Sequence, residues 1–116
     1  MKIVSLDQIA AIRVDTEGAK DVYKQVPIGR NDGSPAFSIR VFTIEPDGHT
    51  PYHQHPSEHL NYVIEGEGAL VKESGEEQKI GRGDFALVLP NEKHQYRNRS
   101  ARERLVMICA VPKEYE

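Results

Sequence analysis

Four of the chain's five histidines lie in the segment from His49 to His59, which reads HTPYHQHPSEH. In an extended strand, side chains two positions apart project to the same face. We therefore expect His53 and His55 to point the same way, and Gln54 to point to the other side. Neutral imidazole nitrogens are good ligands for divalent transition metals. The pattern indicates a metal site, although histidine pairs of this spacing are also common among surface and turn residues.

Two further histidines are candidates for the same site. His59 follows Pro56, a residue that suits a turn or a strand edge, and it begins the strand-like stretch HLNYVIEG. His94 opens another strand-like stretch after the segment GDFALVLPNEK. In a barrel, two strand pairs that face each other would bring these histidines toward His53 and His55.

Glu58 competes with His59 for the position of third ligand. Strand parity places the two side chains on opposite faces, so only one of them can point into a barrel. A bulge after Pro56 would exchange the two faces and favour the carboxylate. His49 follows the turn-forming residues 46–48, and we expect it to decorate that turn.

The elements that must hold these residues are short apolar runs separated by glycine and proline. They are rich in β-branched and aliphatic residues, and no longer window has a helical apolar period. This pattern is typical of an all-β, antiparallel sandwich or barrel. The last run is apolar on both faces, which predicts a second sheet or a homodimer on its outer side. The runs are FSIRVFTIE (37–45), LNYVIE (60–65), ALVKE (69–73), FALVL (85–89) and RLVMICAV (104–111).

Length and composition narrow the classes of protein. A chain of 116 residues suits one domain, 1–116, with a core barrel at about 36–112 and N-terminal strands within 1–30 that pack on it or on a partner. The single cysteine, Cys109, predicts a reducing, cytoplasmic compartment. The net charge of -3 and the absence of a long apolar run argue against nucleic-acid and membrane partners. The basic residues between 93 and 104 are expected to be a solvated strand face.

Two longer motifs carry a family resemblance. HQHPSEHLNYVIEGEG resembles the first cupin motif, and GDFALVLPNEKHQYRN resembles the second, with its pattern of glycine, proline, histidine and asparagine. Together with the hairpin between them they cover residues 48–98. The second motif departs from the family at Pro90, which lies one residue late and lacks the neighbouring glycine. The resemblance implies a small single-domain cupin with a jelly-roll barrel, also called a double-stranded β-helix.

The resemblance also implies the metal site and its ligands. It is closest to the cupins in which four histidines bind manganese, and it assigns His53, His55, His59 and His94 as ligands. Manganese is the first expectation and iron the second, while imidazole also suits zinc, nickel and copper. Cupins more often have glutamate at the position of His59. Four neutral ligands would leave the full charge of the ion uncompensated, so it would attract anions more strongly.

The same resemblance suggests residues around the metal. Met107 and Cys109 are expected to face the cavity, Arg40 to reach toward it, and Tyr96 shares the face of His94. Cys109 has an alternative as a small buried residue, Arg40 as an outward charge, and Tyr96 as a cavity filler.

Three functions are compatible with such a site. The first is an oxidative metalloenzyme, dioxygenase- or oxidase-like, that acts on a small organic substrate. The alternatives are a non-catalytic binding or sensor module and a non-redox isomerase or cyclase.

Overall fold

The computed structural model describes residues 1–116, and nine strands account for most of its regular structure. The strands predicted from the five apolar runs are confirmed, and three short 3₁₀ turns occupy Leu6–Gln8, Arg30–Asp32 and Lys113–Tyr115. None of these turns has the length or apolar character of a membrane-spanning helix. The strands are β1 (Ile12–Arg13), β2 (Lys20–Ile28), β3 (Phe37–His49), β4 (His59–Glu65), β5 (Glu67–Lys72), β6 (Glu77–Gly81), β7 (Phe85–Val88), β8 (His94–Arg97) and β9 (Leu105–Pro112).

The long strand β3 joins the two halves of the sheet. It pairs with β9 over most of its length and with β8 at its last residue, His49. The strand order is β6-β5-β8-β3-β9-β4-β7, with β2 on the other edge of β3 and β1 on β2. Every pairing is antiparallel, and the curled sheet forms the predicted jelly roll.

The core lies on the concave side of this sheet. Along β9, alternate residues point inward, and Leu105, Met107, Cys109 and Val111 are each at most 1% exposed. These four residues include Met107 and Cys109, which the resemblance predicted to face the cavity. They pack with inward residues of neighbouring strands, because period-two alternation brings one side of every strand to the same interior. The central cluster is Val22, Ile44, Val63, Ile80, Tyr96, Leu105 and Met107.

The convex side of β3, β4 and β7 is apolar and exposed. Ile39 and Leu60 lie on either side of Ala110 across neighbouring strands, and Leu87 is the partner of Leu60. We call the exposed residues Phe37, Ile39, Leu60, Phe85 and Leu87 the outer apolar face.

Gly66 makes the tight connection between β4 and β5. Its φ of 85° lies in the left-handed region, where glycine has no steric penalty. A Cβ at this position would overlap the carbonyl oxygen of Arg104. Only glycine can therefore occupy this position without a shift of the neighbouring chain.

Candidate metal centre

A backbone bridge brings the HxH segment against the start of β8. The amide of His53 donates to the carbonyl of His94 at 3.1 Å, and the amide of His94 donates back at 2.9 Å. This places one nitrogen of each of His53, His55 and His94 within 4.8 Å of the others. Three imidazole nitrogens at this spacing could hold a metal ion.

Hydrogen bonds to carbonyl oxygens set the tautomers of two of these rings. Nδ1 of His55 lies 2.8 Å from the carbonyl oxygen of Ser57, and Nδ1 of His94 lies 2.8 Å from that of Glu92. Because a carbonyl can only accept, each Nδ1 carries the proton and each Nε2 keeps a free lone pair. Nε2 of His55 is buried and has no hydrogen-bond partner. Outer hydrogen bonds that fix a ring in this way are typical of metal-binding histidines, so the residues fit a divalent ion.

His59 lies beside this cluster without joining it. Its ring stacks on that of His55 with centroids 3.9 Å apart, and its centroid is 6.1 Å from that of His94. Its Nε2 lies 3.4 Å from Nη2 of Arg40, which can only donate, so a lone pair faces the guanidinium. The assignment of His59 as a fourth ligand stays a prediction. Glu58, its competitor, is exposed.

The other predicted residues of the two motifs have different roles. His49 is outside the cluster, and its Nδ1 lies 3.2 Å from the carbonyl oxygen of Thr50. The side-chain amide of Asn98 donates to the carbonyl oxygens of Ile44 and Glu103 at 2.9 and 2.8 Å. Asn98 therefore links the chain just after β8 to β3 and to the loop before β9 by hydrogen bonds.

The turn before His94 forms despite the missing glycine. Asn91 takes the left-handed conformation with a φ of 66°, which asparagine tolerates better than most residues. Its amide donates to the carbonyl of His55 at 2.8 Å, so this turn is tied to the HxH segment.

Burial favours the neutral form of three of these imidazoles. It lowers the pKa of His53 and of His94, and, with the positive charge of Arg40 as the next cause, it lowers the pKa of His59 to about 3. Neutral imidazole is the form that binds a metal.

We expect metal-free protein to lose stability as the pH falls below about 6.5. Unfolded histidines take up protons there, whereas the folded ones, with lowered pKa values, do not. The unfolded state then binds more protons, so acid favours unfolding until the folded pKa is reached. Thermal melts of metal-free protein between about pH 4 and pH 7 measure this. Carboxylates titrate in the same range, so wild type is compared with His59→Gln. The Tm of the variant should fall less steeply with decreasing pH than that of wild type. Equal slopes of Tm against pH would contradict the prediction.

A cavity of about 200 Å³ opens beside the cluster. Its wall includes His53, His59 and His94, and all four predicted pocket residues, Arg40, Tyr96, Met107 and Cys109, also line it. Arg40 donates from Nη2 to Sγ of Cys109 at 3.0 Å. The structure thus places Arg40 inward, whereas Phe37 and Ile39 of the same strand are exposed.

Tyr96 is a buried neutral phenol in this wall. Its hydroxyl donates to Oδ1 of Asn61 at 2.9 Å, and burial raises its pKa well above the usual range. The group therefore stays protonated at all ordinary pH values.

Lys24 and Asn61 are among the residues of the wall that sequence reasoning missed. Asn61 had a usable signal, because it lies two positions after His59 and therefore on the same face of β4. Lys24 had no such signal, since nothing in the sequence specifies how β2 pairs with β3.

Comparisons with known proteins agree with this architecture. A family model described as a cupin domain matches residues 40–111. The solved structure of the polyketide cyclase RemF from Streptomyces resistomycificus is 29% identical with a TM-score of 0.91, over 97% of this chain and 79% of that one. Ectoine synthase from P. lautus is 27% identical with a TM-score of 0.75, over 97% and 78% of the two chains.

A protein described as a predicted oxalate decarboxylase from Thermotoga maritima shares the fold at lower identity. It is 19% identical with a TM-score of 0.84, over 97% of this chain and 99% of that one. No curated protein sequence matches the chain.

Proposed function

This chain belongs to the cupin domain family, and from that premise we propose that it is a metal-dependent enzyme that cyclises or isomerises a small organic substrate without net oxidation. The observation that carries the proposal is the three-histidine cluster on the wall of a cavity that also contains a buried phenol and a guanidinium. The resemblance to a polyketide cyclase over 97% of the chain supports a ring-forming reaction.

The residues around the cavity would have separate roles in this reaction. His53, His55 and His94 would hold the ion, and we propose His59 as a fourth ligand, for which its Nε2 would have to turn away from Arg40. The bound ion would supply a Lewis acid that polarises a carbonyl oxygen of the substrate. Tyr96, whose hydroxyl donates to Oδ1 of Asn61, lines the same cavity as a neutral phenol. Met107 and Phe42 contribute an apolar wall that excludes water from the reacting carbons.

The proposal also concerns the identity of the metal. Manganese and iron are the ions expected from the family resemblance. Because no electron leaves the substrate in a cyclisation, zinc in the same site should support turnover as well.

The test is a comparison of metals and of oxygen dependence. Protein stripped of metal and reloaded with zinc, manganese or iron is incubated with a panel of linear β-polyketones, and products are analysed by mass spectrometry under air and under nitrogen. We expect products of unchanged mass, or of mass lowered by water, with zinc and without dioxygen. The oxidative function predicted from the sequence requires dioxygen uptake and fails with zinc. Tight binding without turnover is the result expected for a sensor module.

We further infer that two copies associate through the outer apolar face. Phe85 and Leu60 are 81% and 52% exposed, and a monomer rarely leaves such a continuous apolar surface in water.

Leu87→Glu should weaken self-association by about tenfold or more, because it would bury a charge in the interface. Sedimentation velocity measures this. Ile12→Glu on β1, outside the face, is the control, and a wild type that stays monomeric at high concentration would refute the inference.

A further inference from the structure

The cavity beside the histidine cluster contains two basic side chains and no acidic one. Lys24 and Arg40 both line it, and none of its fifteen lining residues is an aspartate or a glutamate. Lys24 lies on β2 opposite Phe42 of β3, two residues beyond Arg40 on that strand. The two charges are therefore on neighbouring strands of one wall.

Arg40 is buried without a counter-charge. It is 7% exposed, and its partners are all neutral: Sγ of Cys109, Nε2 of His59 and the carbonyl oxygen of Tyr115. Its Nε has no hydrogen-bond partner. A buried guanidinium without a counter-charge attracts an anion, because the pairing offsets the cost of removing the charge from water.

Lys24 uses one of its three ammonium hydrogens in a hydrogen bond to the protein. Nζ donates to the main-chain oxygen of Glu116 at 3.0 Å, which leaves donor capacity on the same ammonium. Burial and the charge of Arg40 lower the pKa of Lys24, against a smaller opposing effect of Glu116. The carboxylate of Glu116 accepts from Oγ of Ser38 at 2.6 Å and from the amide of Arg30 at 2.9 Å, and it does not line the cavity.

The geometry points to a carboxylate subsite at Lys24 and Arg40, so that the substrate is a small organic acid bound as its anion. Charge-assisted hydrogen bonds to a carboxylate would use the second hydrogen of Nη1 of Arg40, whose first is directed to Tyr115, and the remaining hydrogens of Lys24. This inference rests on the proposed function, since it assigns the carbonyl end of the same molecule to the histidine cluster. The substrate class is then a keto acid.

Calorimetric titration of zinc-loaded protein with acetoacetate and with its neutral methyl ester tests the subsite directly. We expect the acid to bind at least about tenfold more tightly than the ester. Lys24→Met should remove most of that preference while leaving affinity for the ester unchanged. Lys20→Met is the matched control, because Lys20 begins the same strand but its Nζ pairs with Asp47 at 3.1 Å outside the cavity.

Metal-free protein separates the subsite from the metal. A preference for the acid over the ester that survives chelation supports a protein-borne carboxylate site. A preference that disappears with the metal, or that Lys24→Met leaves intact, would overturn the inference. Circular dichroism verifies that Lys24→Met is folded. These titrations need no turnover, so a failure of the proposed cyclisation would appear in the product assays with the anion preference still present.

Discussion

Replacing His94 by alanine is expected to lower the affinity for a divalent metal by about a hundredfold or more. Changing an outer hydrogen-bond partner of a ligand already costs about tenfold to a hundredfold, and this change removes the ligand itself. His94 has its nitrogen within 4.8 Å of those of His53 and His55, and its ring is fixed by the carbonyl of Glu92. Competition titration of zinc and manganese against a chromophoric chelator measures the loss.

The matched control for this substitution is His49→Ala. It removes one histidine from the end of β3, beyond the cluster, and should leave metal affinity unchanged. The main-chain bridge between His53 and His94 is retained in His94→Ala, so that variant should fold. If His94→Ala bound metal as tightly as wild type, the cluster would not be the metal site. His59→Ala then tests the fourth ligand, since an undiminished affinity would limit the site to three histidines.

Replacing Gly66 by alanine is expected to destabilise the fold by about 3 kcal/mol or more. The residue has a φ of 85°, which disfavours any side chain, and the added Cβ would overlap the carbonyl oxygen of Arg104. That oxygen belongs to the backbone that leads into β9, so it cannot move without disturbing the centre of the sheet. Thermal unfolding should show a Tm lower by about 10 °C or more.

Gly75→Ala separates the two causes of this effect. Gly75 has a φ of 87°, close to that of Gly66, but a Cβ there would meet nothing within 4 Å. Its loss of stability, about 1 kcal/mol, reports backbone strain alone. The difference between the two variants is the contribution of the overlap with Arg104. Equal losses in the two variants would show that the overlap relaxes freely.

Local patterns were sufficient to predict the strands and much of the site. The alternation of Leu105, Met107, Cys109 and Val111 specified the inward face of β9, because period-two geometry is a property of the strand itself. The two-residue spacing of His53 and His55 predicted their joint projection in the same way. The approach of His94 to these residues was expected from two facing strand pairs of a barrel and from the family resemblance, and the structure brings the three nitrogens together.

Local sequence patterns could not predict the features that depend on distant parts of the chain. The sequence left open whether the N-terminal strands pack on the barrel or on a partner, and in this structure β2 pairs with β3. That pairing brings Lys24 into the cavity wall. The orientation of His59 toward Arg40 likewise depends on the packing of β4 against β9, which no short motif encodes.

The central position of β3 has a consequence for the order of events during protein synthesis. Residues 37–49 leave the ribosome before their partner in β9, residues 105–112, and such distant pairing is slow to form. The His53–His94 bridge likewise waits for residues made some forty positions later. Metal can therefore be captured at full affinity only after most of the barrel has closed. The ion would bind after most of the fold has formed and stabilise it, and it would not nucleate folding. Cells starved of metal should therefore still accumulate folded protein.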